Sequence, residues 1–133
     1  MSEGFKLEIV NPEKSFLSKD GVLEVVVPAF EGDMGVLKDH ISIISFLKPG
    51  LVKVMGTTST GETYYVEDGI IEFKNNCLSI LTSNIFDIKK IDKNILKDAL
   101  SKAEKDSKDL EISDQKKYLI DQKIDVLKNL NLN

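Results

Sequence analysis

Arginine is absent from this chain: all 18 basic residues are lysine. That leaves no guanidinium for bidentate grip on carboxylate or phosphate and weakens most anion-binding enzyme readings. Tryptophan is absent too, and there is one histidine, His40, and one cysteine, Cys77. A lone cysteine makes no internal disulfide, and so little His and Cys offers scant material for a metal site, so none is expected. A reducing compartment is the simplest reading. No run of about 18 apolar residues occurs, and the start, Met-Ser-Glu-Gly-Phe-Lys, lacks a basic segment followed by an apolar core. The expectation is a soluble, unexported chain, held at any membrane only by other subunits.

What is present suits one modest domain, or a smaller domain with an appendage: 133 residues, 41% of them hydrophobic. The formal net charge of -4 argues against nucleic acid as partner, because phosphate contacts need a concentrated positive surface. An anionic bilayer would repel the chain for the same reason.

Up to Phe86 the pattern is that of short strands. Phe5, Leu7 and Ile9 alternate with Lys6 and Glu8, giving one buried and one wet face, and Asn11-Pro12 ends the run. Ser15 to Ser18 meets Asp20-Gly21, read as a tight hairpin, and Val22 to Val27 returns as a β-branched strand stopped by Pro28. Glu31 to Gly50 begins with a glycine-rich turn, passes His40 and closes on Pro49-Gly50, which suits a type II turn. Leu51 to Met55 continues as a strand, Gly56 to Gly61 is a polar hairpin tip, and Tyr64 to Val66 breaks at Glu67-Asp68-Gly69. Ile70 to Phe73 and Cys77 to Thr82 pair through Lys74-Asn75-Asn76. About ten short strands so spaced predict a β-sandwich over residues 1–86.

Beyond Phe86 the period changes. Leu96, Leu100, Ala103, Ser107 and Leu110 fall at steps of four and three, a thin stripe on one helix. Asp92 is placed to cap it, with Ile91 and Leu96 as a hydrophobic staple. Ser113 or Asp114 caps a second helix carrying Leu119, Ile120, Ile124, Leu127 and Leu130. An antiparallel helical hairpin is predicted over 87–133. Charge divides in step: seven lysines against twelve carboxylates up to Phe86, eleven against ten after it. So thin a stripe makes the hairpin marginal alone; it packs on the sandwich or waits for a partner.

Candidate chemistry is sparse. His40 has no nucleophile motif, second histidine or ligand spacing beside it, so a structural or contact role outweighs catalysis and no catalytic residue is expected. Glu31-Gly32-Asp33-Met34-Gly35 stops after two carboxylates, short of a calcium ladder, and reads as a tight exposed turn. Gly56 to Gly61 lacks the lysine ending of a phosphate loop. Cys77 in a strand reads as a buried small hydrophobe. Lys116, Lys117, Lys123 and Lys128 interleave with Asp114, Asp121 and Asp125, which reads as a solvated face.

Glu-Gly-Asp-Met-Gly-Val-Leu from Glu31, His40 five residues past Gly35, Leu-Lys-Pro-Gly-Leu-Val from Leu47, and Asp68-Gly69-Ile70-Ile71-Glu72-Phe73 together resemble the epsilon subunit of bacterial F-type ATP synthases, over essentially the whole chain. The resemblance implies a non-catalytic rotor subunit. Its sandwich would sit at the foot of the gamma subunit against the membrane-embedded c-subunit ring, peripheral to the cytoplasmic face of the bacterial inner membrane. The hairpin would lie folded or extend toward the catalytic beta and alpha subunits and block hydrolysis. By position, Asp33 would face the c-ring, while Asn11, His40, Ile41 and Ile44 would contact gamma.

Two departures stand out. Asp39 replaces the glycine that relatives carry before the histidine, implying a different local backbone. Ile91-Asp92 matches the start of the nucleotide motif of ATP-binding relatives, but Ile95 and Leu96 replace its Arg and Ala, so weak or no ATP binding and no cofactor are expected. Two other readings compete with the rotor: a free-standing β-sandwich binding module using Glu31 to Gly50, and a small hydrolase.

Overall fold

Alternation becomes strand and the 3.6-residue stripe becomes helix throughout residues 4–12, 15–56, 61–109 and 111–130, which the computed structural model describes. The strands are β1 Phe5–Val10, β2 Ser15–Ala29, β3 Gly32–Leu37, β4 Ile43–Leu47, β5 Gly50–Gly56, β6 Glu62–Val66, β7 Gly69–Lys74, β8 Cys77–Thr82 and β9 Ile85–Asp87. A 3-10 turn, Ile88–Lys90, leads to α1 Lys93–Ser107 and α2 Asp114–Lys128. None of the described helices is long and apolar enough to cross a membrane. The loop tip at 57–60 and the stripe residue Leu110 lie outside the described residues.

The β2 strand makes the sandwich. Its first half pairs antiparallel with β1, and its second half is flanked by β3 and β5. One layer therefore runs β2-β1-β8-β7-β4, with β1 and β8 parallel, and the other runs β3-β2-β5-β6-β9. A single bridge, Ala29 opposite Leu47, closes the far end. Between the layers Leu7, Ile9, Val22, Val25, Val27, Val36, Ile71, Phe73, Leu78 and Ile80 are essentially inaccessible. Burying each such side chain contributes roughly 1.5–3 kcal/mol. Phe5 meets Phe73 edge-on, ring centroids 5.6 Å apart.

Four expectations about turns and strand ends are corrected. Asp20-Gly21 is not a hairpin: β2 runs through it, and the register slips between Leu7 opposite Lys19 and Phe5 opposite Val22. Gly21 does take positive φ, 67°, but as a bulge that bends one long strand between two layers. Pro28 does not stop the strand either; it stands opposite Asp33, and the two-residue turn is Phe30-Glu31. The exposed turn expected over Glu31 to Gly35 is accordingly mostly β3. Gly50 lacks the positive φ of a type II turn; it begins β5, and a Cβ there would lie 2.6 Å from Pro28 Cβ. Glycine is needed at Gly50 for close approach, not for its dihedral freedom. By contrast, Asn75 and Asn76 both take positive φ, 52° and 54°, as a two-residue hairpin with primed-turn geometry requires.

Helix ends follow from their caps. The Asp92 carboxylate accepts from Ile95 N at 2.8 Å, and Ser113 Oγ from Lys116 N at 3.2 Å. The helices pack on each other with Ala103 and Leu127 as their buried residues, and Lys128 reaches Glu104 at 3.9 Å. The second of them, α2, lies along the outer face of the second layer, where Gln122, Val126 and Leu130 stand with Val26, Leu51 and Lys53 around a groove of about 300 Å³.

Candidate functional site

Strand register decides which expected contact residues share a surface. In β4 the side chains alternate, with Ile43 and Leu47 toward the core and Ile44 and Phe46 outward. Phe46 stands opposite Ile70 of β7, and Ile70 opposite Leu81 of β8; Ile44 stands opposite Glu72. The result is an apolar outer face across three strands, with Ile44 69% exposed and Phe46 66% exposed. Ile41, at 77%, extends it beyond the start of β4. Contiguous apolar exposure on this scale marks an interaction surface.

Asn11 follows β1, half-buried. Because β1, β8 and β4 all run in one direction, Asn11 at the end of β1 and Ile41 before the start of β4 occupy opposite corners of the face. Ile44 lies between them.

His40 is turned differently. Its ring stands edge-on to Phe73 at 5.8 Å, and its Nδ1 donates to the Ile41 carbonyl at 2.7 Å. A carbonyl only accepts, so Nδ1 carries the proton. The ring closes one end of the core and fixes the backbone that presents Ile41. Asp39 before it takes φ 66°, a left-handed conformation that favours glycine and that Asp tolerates better than most residues. A reciprocal pair holds it: Asp39 N donates to Asn76 Oδ1 at 2.7 Å, and Asn76 Nδ2 to Asp39 Oδ1 at 2.9 Å.

Asp33 lies apart from this set. It is exposed in β3, on the outer face of the other layer, beside the groove shared with Asp125 and Asn129 of the hairpin region. Ile91 is half-buried ahead of α1, and Asp92 is engaged as the helix cap. Among the described residues no three His, Cys, Asp or Glu side chains converge as for a metal ion.

The hairpin meets the sandwich at named points. Lys123 Nζ lies 3.0 Å from Glu67 Oε2, both side chains mostly covered. The Tyr118 ring lies 5.6 Å from that of Phe30. Near them Phe46, Leu47, Ile70, Gln115 and Leu119 line an open groove of about 430 Å³. At the sandwich's other flank, Glu62 accepts from Lys19 and from the Tyr64 hydroxyl, which hold its carboxyl below the usual range, the lysine first. Burial, and then Glu62, push Tyr64 up. Tyr65 is pushed up by burial, with Glu67 and Asp68 adding to the effect.

Phe46, Ile70 and Leu81 were missed by sequence reasoning. Their signal was apolar residues on both sides of the alternation: Ile70 beside Ile71, and Leu81 beside Ile80.

Residues 4–88 match the family described as ATP synthase, Delta/Epsilon chain, beta-sandwich domain. The chain is 69% identical to the ATP synthase epsilon chain of Pelagibacter ubique over 131 residues, 98% of this chain and 100% of that one. It is 34% identical to the epsilon chain of Dichelobacter nodosus over 79% of this chain and 73% of the relative. Against a chain of the Euglena gracilis mitochondrial ATP synthase assembly of OSCP, F1 and c-ring, the TM-score is 0.74 at 20% identity, covering 96% of this chain and 79% of that one. That likeness concerns the fold.

Proposed function

The chain belongs to the ATP synthase delta/epsilon chain family, and from that premise we propose that it is a non-catalytic subunit of the rotating central stalk that carries torque between the gamma subunit and the c-subunit ring. The family match extends over nearly the whole chain, helices included, which leaves the free-standing module and the small hydrolase without support.

The observation that carries the assignment of surfaces is the apolar face of Ile44, Phe46, Ile70 and Leu81. In this reading gamma covers it, with Asn11 and Ile41 at its corners and His40 positioning Ile41. An obligate interface resembles a core cut in half, and this face has that composition. Asp33, exposed on the other layer, faces the ring.

The sandwich, 1–86, is then the rotor-binding unit, and the hairpin, 87–133, the regulatory one. Docked by Lys123 and Tyr118, the hairpin leaves hydrolysis free; extended, it reaches the beta and alpha subunits and opposes it. The subunit sits at the cytoplasmic face of the membrane through its partners alone. Affinity-tagged chain taken from its native membranes should bring down gamma and c subunits, and recovery of neither refutes the reading. Removing residues 87–133 should raise ATP hydrolysis while assembly persists.

A further inference from the structure

Phe46 and Ile70 belong to two surfaces at once. They stand opposite each other on the outer face of the first layer, and together with Leu47, Gln115 and Leu119 they line the open groove of about 430 Å³. Gln115 and Leu119 lie in the first two turns of α2. The apolar face therefore continues from the sandwich onto the docked hairpin.

The closed end of the sandwich brings this about. There Ala29 pairs with Leu47, and Phe30 N donates to the Phe46 carbonyl at 2.8 Å, so the turn after β2 adjoins the strand that carries Phe46. Tyr118 of α2 lies against Phe30, ring centroids 5.6 Å apart, yet each of the two residues stays 42% exposed. Docking of the hairpin thus leaves two rings half covered, beside a groove whose walls come from both parts of the chain. Further apolar cover at such a place is favourable.

We propose that the partner chain that covers the apolar face also fills this groove and so touches α2, which makes its binding and the docking of the hairpin mutually favourable. This inference rests on the proposed function, in which that partner is gamma. Continuity names the occupant: a chain lying on Ile44 and Phe46 reaches the groove without leaving the surface, because Phe46 forms part of its wall. When the hairpin leaves, Gln115 and Leu119 go with it, and the partner loses those contacts. A ligand that binds one of two states more tightly shifts the equilibrium toward that state, and the effect is reciprocal. Partner binding therefore opposes extension of the hairpin, and extension loosens the partner.

The test uses the full chain and the purified gamma subunit. Gln115→Glu places a charge in the groove, while a carboxylate in the first turn suits the start of α2. It should weaken gamma binding at least about fivefold, the low end for burying an unpaired polar group. Lys117→Gln, which makes the same change in net charge at an exposed residue of α2, should bind as the parent does. In the reciprocal measurement, saturating gamma should raise the amide protection of α1 and α2 at least about fivefold, the low end of coupling between two sites. Parent-like binding by Gln115→Glu, or helix protection unmoved by gamma, overturns the inference. Equal losses in Gln115→Glu and Lys117→Gln also overturn it, because net charge and not the groove would then be responsible. Phe46→Glu separates the inference from the reading beneath it: if that variant alone loses gamma binding, gamma covers the face but not the groove and only the inference falls, whereas if no variant loses binding both fall.

Discussion

Lys123 and Glu67 join the hairpin to the sandwich: Nζ lies 3.0 Å from Oε2, with 25% and 17% of the two side chains exposed. The pair spans two parts of the chain that differ in composition, and it is less open to solvent than the Lys6–Glu8 pair, whose side chains are 46% and 39% exposed. Screening by salt is correspondingly weaker.

Replacing Lys123 with methionine keeps the stem and removes the charge. Docking should weaken by about 1 kcal/mol, near the upper end for an ion pair that is not fully exposed, and helix amides should exchange several-fold faster while β2 and β5 amides change little. Equal exchange in the variant and the parent at low salt would show that the pair contributes nothing to docking.

Asp39 occupies a left-handed conformation and exchanges hydrogen bonds with Asn76. Asp39→Ala should cost about 1–2 kcal/mol, because alanine tolerates that conformation poorly and the side-chain bond is lost. Asp39→Gly should cost less, keeping the backbone. Urea unfolding measures both, and an alanine variant as stable as the parent contradicts the assignment.

Alkaline pH should destabilise the fold. Tyr64 and Tyr65 are raised above the ordinary 10.0 by burial first. Their contribution is complete below pH 10 and is lost as pH rises above it, since the unfolded chain ionises first. Glu62 acts in the opposite sense: its value is lowered from 4.5 by Lys19 first, so its contribution is present above that value and fades as pH falls below it. Urea midpoints measured at neutral pH and above pH 10 should show the alkaline loss, reduced in Tyr65→Phe. A flat profile above pH 10 would contradict it.

Asp92 caps α1 through Ile95 N, and Ile95, where ATP-binding relatives carry arginine, is a 41% exposed apolar side chain. Micromolar ATP should leave the amide resonances from Ile91 to Leu96 unmoved. Saturable shifts there in that range would refute the expectation of weak or no binding.

Much of the fold was legible because local chemistry and tertiary role agree. Asp92 and Ser113 cap the helices where the pattern begins, and Asn75-Asn76 makes its hairpin as two positive-φ residues demand. What was not legible were choices made across the chain. Asp20-Gly21 announces positive φ, but whether that becomes a turn or a bulge depends on β1 lying alongside. Gly50 answers to Pro28, which is distant in sequence. The β9 strand is too short to show a period. At the site, alternation assigns apolar residues to the core by default, so Phe46, Ile70 and Leu81 were overlooked until register placed them side by side. His40 drew notice as the sole histidine, and its ring proves to pack on Phe73.

The most direct measurement of the central claim is binding of the purified gamma subunit to Phe46→Glu, beside a control, Leu37→Glu, that places the same charge on an exposed residue of the other layer. Both positions face outward, so both variants should unfold within about 0.5 kcal/mol of the parent. The account predicts that Phe46→Glu loses gamma binding by at least about tenfold, the scale of an interface hot spot, while Leu37→Glu binds as the parent does. Undiminished binding by a folded Phe46→Glu would contradict it.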